Sequence, residues 1–211
     1  HLKNIVDNPN ARKLQQTPVP VLGGVAVFFG IVLGIALAST YVSCTSLMTI
    51  VAAMMIMLYT GTMDDLLDLS ALLRFAVEIG VVMLLIYAND ISINNFNGLW
   101  GVGVIPDTLA IPLTIFASVG IMNAINMIDG VNGLSSGYCI MASIAFGSLF
   151  YASDNVSMLI LAAVSVGSLI PFLFHNVFGK TSKMFIGDGG TLVMGVVMST
   201  FVINILTNGS S

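Results

Sequence analysis

Residues 44–63 read CTSLMTIVAAMMIMLYTGTM, a run without a single charge, and residues 64–68 follow at once as DDLLD. Roughly 20 apolar residues are what an α-helix needs to cross hydrocarbon, at about 1.5 Å of rise per residue. Three carboxylates at the end of such a run are costly to desolvate and repel one another, so they point to a cation or a functional pocket at that membrane face. Working outward, comparable runs recur at Val21–Ser39, Ala71–Ala88, Thr108–Met127, Leu134–Ala152, Val156–Phe174 and Thr191–Leu206. Of the 211 residues 57% are hydrophobic and 8% are charged, and the mean hydropathy is +1.02. So few charges cannot cover the surface of a water-soluble domain. The sequence therefore predicts an all-α polytopic membrane protein of about seven transmembrane helices. No internal repeat or low-complexity linker divides it, so residues 1–211 form one membrane-embedded domain. Opening on His1, with nothing like a signal peptide, the chain reads as an internal piece of a longer one.

Direction follows from the basic residues. Alternating the spans puts Lys3, Arg12, Lys13, Arg74, Lys180 and Lys183 on one side, while the loops around Tyr41, from Asn89 to Asp107 and around Asp154 carry none. Basic short loops stay cytoplasmic, so that side is inside. On the outer side, Ile91 to Ile105 alternates and is broken by glycines, which predicts a short hairpin-like loop, with Trp100 as an interfacial anchor. Cys44 and Cys139 belong to opposite membrane depths, which argues against a disulfide.

The acids Asp7, Asp64, Asp65, Asp68, Asp129 and Asp188 all fall on the inner side. If the second span continues as a helix, Asp64 and Asp68 share a face with Asp65 beside them. Asn123 and Asn126, three apart at the inner end of the fourth span, form a polar stripe leading to Asp129-Gly130-Val131-Asn132-Gly133. The two glycines permit a tight turn with backbone N–H groups open to a phosphate. Phe185-Ile186-Gly187-Asp188-Gly189-Gly190-Thr191 leads into the last span. A carboxylate among glycines at a helix start offers backbone room near an anion and the positive end of the helix dipole. There Asp188 can hold a hard cation such as Mg²⁺ that bridges to phosphate oxygens. Each element also has a plainer reading: a solvated acidic loop, interhelical asparagine bonds, a helix N-cap.

Taken together the motifs resemble the bacterial polyprenyl-phosphate N-acetylhexosamine-1-phosphate transferases. The likeness covers essentially the whole chain: Asp7-x-Pro9-x-x-Arg12-Lys13 with Pro18-x-Pro20-x-x-Gly23-Gly24, then Asp64-Asp65-x-x-Asp68, Asn123-x-x-Asn126-x-x-Asp129-Gly130, and Gly187-Asp188-x-Gly190-Thr191. It implies transfer of a sugar-1-phosphate, GlcNAc-1-phosphate first, from a UDP-N-acetylhexosamine to undecaprenyl phosphate with release of UMP, at the start of an envelope glycan such as teichoic acid or lipopolysaccharide. By the same resemblance Asp188 is the ligand for Mg²⁺, with Mn²⁺ as the alternative ion. Asp64 and Asp65 position or deprotonate the lipid phosphate, and Asp129 is a further catalytic acid. Asn123, Asn126 and Asn132 line the nucleotide and sugar-phosphate pocket, Asp68 belongs to the substrate site, Phe185 stacks on uracil, and Lys13 and Lys183 neutralise phosphate charge. The implied setting is the cytoplasmic face of the bacterial inner membrane, with a homodimer compatible and no nucleic-acid partner.

The chain departs from the family pattern at Gln15, where many relatives have histidine, and at Asn132, where many have aspartate. Asp68 stands where the peptidoglycan-precursor enzymes carry lysine, which favours the N-acetylhexosamine branch. The later histidine-rich cytoplasmic loop lies beyond Ser211, so these residues by themselves are expected to release no UMP.

Other residues read as structural. Arg74 and Glu78, four apart, pair near the interface. His175 is an interfacial or loop histidine, Met54-Met55-Ile56-Met57 is adaptable packing, and Gly30, Gly34, Gly80 and Gly147 suit close helix contacts. The competing class, an ion- or proton-coupled transporter, would spread acids through the membrane depth. Here they gather at the inner ends.

Overall fold

Hydrocarbon offers no water to satisfy peptide groups, so each apolar run closes its hydrogen bonds within a helix. The computed structural model describes residues 6–7, 19–20, 23–96, 98, 101–179 and 184–207. Its helices are α1 (Gly23–Ala38), α2 (Thr45–Leu67), α3 (Ala71–Asn89), α4 (Asp107–Ile128), α5 (Leu134–Ala152), α6 (Val156–Phe178) and α7 (Gly187–Ile205). Ahead of them β1 (Val6–Asp7) pairs antiparallel with β2 (Val19–Pro20). The all-α polytopic architecture is borne out. Among the described residues α2 to α7 are long and apolar enough to cross a membrane. The 16 residues of α1 rise only about 24 Å, short of a hydrocarbon core of about 30 Å.

The bundle is built around α7. Fifteen of its 19 residues are buried, against five of 19 in α3. It packs on α2, α4 and α1, and small residues let the backbones approach. A Cβ on Gly61 of α2 would stand 2.5 Å from the carbonyl carbon of Asp188. Gly24 of α1 meets Gly190, and Gly195 meets Met122 of α4. Met54 and Met57 fill the core, while Met55 and Ile56 face outward. Gly30 lies against Ser168, Gly34 against Val164 and Gly147 against Ala162, as helix contacts require, but Gly80 faces open space and does not serve that purpose.

Two boundaries differ from expectation in ways that matter. α2 runs past Met63 to Leu67, so Asp64 and Asp65 occupy its last turn. The chain then leaves the helix at Asp68, with φ 50°, whose N–H closes on the Asp64 carbonyl at 3.0 Å. Asp68 is exposed and does not continue the face of Asp64. α7 begins at Gly187 rather than Thr191, which makes the Gly-Asp-Gly-Gly string its first turn. Gly189 and Gly190 face α2 and α1 there, so close helix packing accounts for them.

Between α3 and α4 the hairpin-like loop is present. Asn95 bridges Val104 antiparallel, Phe96 N–H donates to the Gly103 carbonyl at 3.1 Å, and the N–H groups of Asn94 and Asn95 both donate to the Leu206 carbonyl, at 3.0 and 2.9 Å. Trp100 lies outside the described residues, as do Lys3, Arg12, Lys13, Lys180 and Lys183. Cys44 and Cys139 are both buried free thiols.

Candidate active site

The end of α2, the starts of α3 and α7 and the end of α4 converge on Asp188. Its backbone N–H donates to Asp65 Oδ2 at 3.0 Å, and its Oδ1 accepts from Asn126 Nδ2 at 2.9 Å. The same Asn126 amide donates to Thr191 Oγ1 at 2.9 Å. One turn of α4 earlier, Asn123 points to α3 instead, because three residues along a helix rotate a side chain toward the neighbouring groove. The two asparagines therefore tie α4 to two different helices.

Arg74 stands in the middle of the acids. Its Nη1 donates to Asp64 Oδ2 at 3.0 Å and lies 3.9 Å from Asp188 Oδ2, while its Nη2 donates to Asn123 Oδ1 at 3.0 Å. Asp64 is held further by the Leu69 N–H on Oδ1 at 2.9 Å. Glu78, wholly buried, accepts from Asn123 Nδ2 at 2.6 Å and sits 3.6 Å from Arg74 Nε. The pairing of Arg74 with Glu78 is borne out, but it is part of the acid cluster rather than a separate interfacial pair. The signal was in the sequence: two ionisable groups one turn apart in an apolar span mark a functional site by default.

Asp129 follows α4 and receives the Ser135 hydroxyl. Burial, and after it the negative field of Asp188, raises its carboxyl to about 7, against the partial relief of that hydroxyl. The turn beyond it differs from expectation. Gly133, at φ 74°, gives its N–H to Asn176 Oδ1 at 2.7 Å, so it is not open to a phosphate. Asn132 is exposed. Asn176, on the last turns of α6, also donates to the Met184 carbonyl at 2.9 Å and so clips this turn to the strand of chain before Phe185. No motif pointed to it. The Phe185 carbonyl in turn accepts from Gly23 N–H at 3.0 Å, and its ring is half-buried. His175 is exposed in the last turn of α6, as expected of an interfacial histidine. Lys13 and Lys183 lie outside the described residues.

Among the described residues no three His, Cys, Asp or Glu side chains form a ready metal cage. The donor set still fits a hard cation that keeps few protein ligands, since Mg²⁺ is commonly held by one or two carboxylates plus substrate phosphates. Asp188, whose side chain is 37% exposed, is the carboxylate open to such a ligand.

A family profile described as glycosyl transferase family 4 matches residues 47–206, which contain Asp64, Asp65, Arg74, Glu78, Asn123, Asn126, Asp129 and Asp188. The chain belongs to glycosyl transferase family 4. Relatives within it include a Bacillus subtilis (strain 168) protein named "Probable undecaprenyl-phosphate N-acetylglucosaminyl 1-phosphate transferase", 31% identical over 92% of this chain and 53% of its own length. The undecaprenyl-phosphate alpha-N-acetylglucosaminyl 1-phosphate transferase of Salmonella typhi is 32% identical over 90% of this chain and 52% of its own. That of Escherichia coli (strain K12) is 29% identical over the same shares. The chain spans about half the length of the curated relatives it matches.

Proposed function

We propose that this family 4 chain carries the reaction centre of a transferase that moves N-acetylhexosamine-1-phosphate, GlcNAc-1-phosphate in the first place, from a UDP-sugar to undecaprenyl phosphate. An oxygen of the lipid phosphate attacks the β-phosphorus of the UDP-sugar. The new P–O bond forms as the bond from that phosphorus to the bridging oxygen breaks, and UMP leaves with the electron pair. The observation that carries this reading is the meeting of Asp64 and Asp188 at one guanidinium, with Asp65 joined to them through the Asp188 backbone N–H. Phosphoryl transfer needs positioned anions and fixed positive charge more than covalent chemistry. In this reading Asp64 and Asp65 position the lipid phosphate or take its proton, and Asn126 holds Asp188 in place. Asp188 would hold Mg²⁺, or Mn²⁺ in its stead, which neutralises charge on the diphosphate when bound.

The active face is the cytoplasmic side of a bacterial inner membrane, a reading supported by the one-sided basic residues and by Arg74 at the acid end. Cysteine probes at Ser70 should react only after permeabilisation and probes at Ser153 in intact cells; the reverse pattern would overturn this orientation. The reaction is tested by UMP release from UDP-GlcNAc with undecaprenyl phosphate and Mg²⁺ in membranes carrying the intact enzyme. No release above background from any UDP-N-acetylhexosamine would refute it.

A further inference from the structure

We propose that Glu78 is a positioning residue for the transfer, acting through Asn123 and Arg74 on Asp64 and Asp188; this rests on the reaction proposed above. A carboxylate wholly buried in an apolar span is expensive and persists where neighbours fix it. Glu78 Oε2 takes one hydrogen of the Asn123 amide at 2.6 Å, and the Val119 carbonyl takes an Asn123 Nδ2 hydrogen at 2.9 Å. That leaves Asn123 Oδ1 as the only face presented to Arg74, whose Nη2 donates to it at 3.0 Å. A flipped amide would set an N–H₂ against the guanidinium and an oxygen against the carboxylate, both repulsive. Glu78 therefore decides which way Asn123 points.

The second link is direct. Glu78 Oε1 lies 3.6 Å from Arg74 Nε, an ion pair rather than a hydrogen bond, and among the described residues neither atom has a hydrogen-bond partner. Glu78 thus holds the guanidinium from behind while its Nη1 faces Asp64 at 3.0 Å and Asp188 at 3.9 Å. The contacts Glu78–Asn123, Arg74–Asn123 and Arg74–Glu78 all lie on α3 and α4, so the aim of the positive charge toward Asp64 and Asp188 is set by these two helices rather than by the mobile end of a long side chain. Small displacements of positioning groups are costly in rate, up to about 100-fold for about 1 Å.

The test uses the intact enzyme in membranes, with UMP release as readout. Glu78→Gln keeps an acceptor for Asn123 but removes the charge behind Arg74 and sets an N–H₂ in its place. We expect kcat to fall about tenfold or more while the KM for UDP-GlcNAc stays within about threefold, because Glu78 stabilises the geometry of reaction rather than ground-state binding. In an Asn123→Ala background the same change should cost less than it does alone, because both residues hold the same guanidinium and their effects are coupled, while the direct contact of Glu78 with Arg74 keeps a measurable loss. Wild-type kcat in the folded single variant, or losses that simply multiply in the double variant, would overturn the proposal. Should Glu78→Gln fail to fold, Glu78→Asp, which keeps the charge and draws it back by one methylene, carries the same test. A wild-type enzyme that releases no UMP would overturn the reaction and this proposal with it, whereas an active wild type with an unaffected Glu78 variant removes this proposal alone.

Discussion

The two ends of the helix bundle are held by different means. At the end away from the acids the loop after α3 is fastened mostly through main chain, with Asn94 and Asn95 N–H groups on the Leu206 carbonyl and the Thr207 hydroxyl on the Ser92 carbonyl at 2.9 Å. At the acid end, main-chain bonds such as Gly23 N–H on the Phe185 carbonyl are joined by a network of ionisable side chains: Asp64 and Asp188 with Arg74, Asp65 on the Asp188 N–H, and Glu78 behind the guanidinium. Both ends close the same bundle, so stability alone did not require charges at either. Among the described residues this cluster holds more carboxylates than cations, which is costly where water is scarce, and its concentration at one end is what a site for a phosphate-bearing ligand and a metal would demand.

The largest expected break in that contrast is Asp188→Asn, which keeps volume and removes one charge. Membranes carrying the intact variant should fold normally yet lose UMP release by about 100-fold or more. Near-normal Mg²⁺-dependent turnover would show that the acid cluster is only a fastening, like the loop contacts at the opposite end. Next comes Gly61→Val, which drives a side chain into the first turn of α7, where a Cβ already stands 2.5 Å from the Asp188 carbonyl carbon. Overpacking of this kind costs about 1–3 kcal/mol, and thermal unfolding in detergent should register it together with lost activity.

A subtler probe is pH. The Asp129 carboxyl, raised to about 7 from 3.8, prefers its neutral form in the folded protein, so its contribution to stability is lost as pH rises through that interval. Asp129→Asn removes the dependence. In metal-free buffer the variant should gain more unfolding temperature over wild type at pH 8 than at pH 5, and the opposite order would contradict the raised carboxyl. The smallest effect is expected at the end away from the acids: Thr207→Val, which deletes a hydroxyl bonded to two carbonyls, should cost about 0.5–1.5 kcal/mol and leave turnover within about twofold.

By itself the sequence determined the helices, their order and the end at which the acids collect. Apolar length and the period of a strand or helix are local properties, and residues 44–68 carry them without help from the rest of the chain. It also marked Asp64, Asp65, Asn123, Asn126, Asp129 and Asp188, because polar groups at span ends stand out against an apolar background. Tertiary structure decided the partners. That α7 is the buried centre is hidden in a helix whose glycines read equally well as a phosphate turn, and only Gly61 and Gly24 across the interface show which reading holds. Asp68 left the shared face because the helix stopped at Leu67, which a cap conformation settles and spacing does not. Arg74, Glu78 and Asn176 joined the site through contacts with residues far away in the chain. Side-chain hydrogen bonds between helices depend on rotation and depth in the bundle, quantities that exist only once the helices have packed.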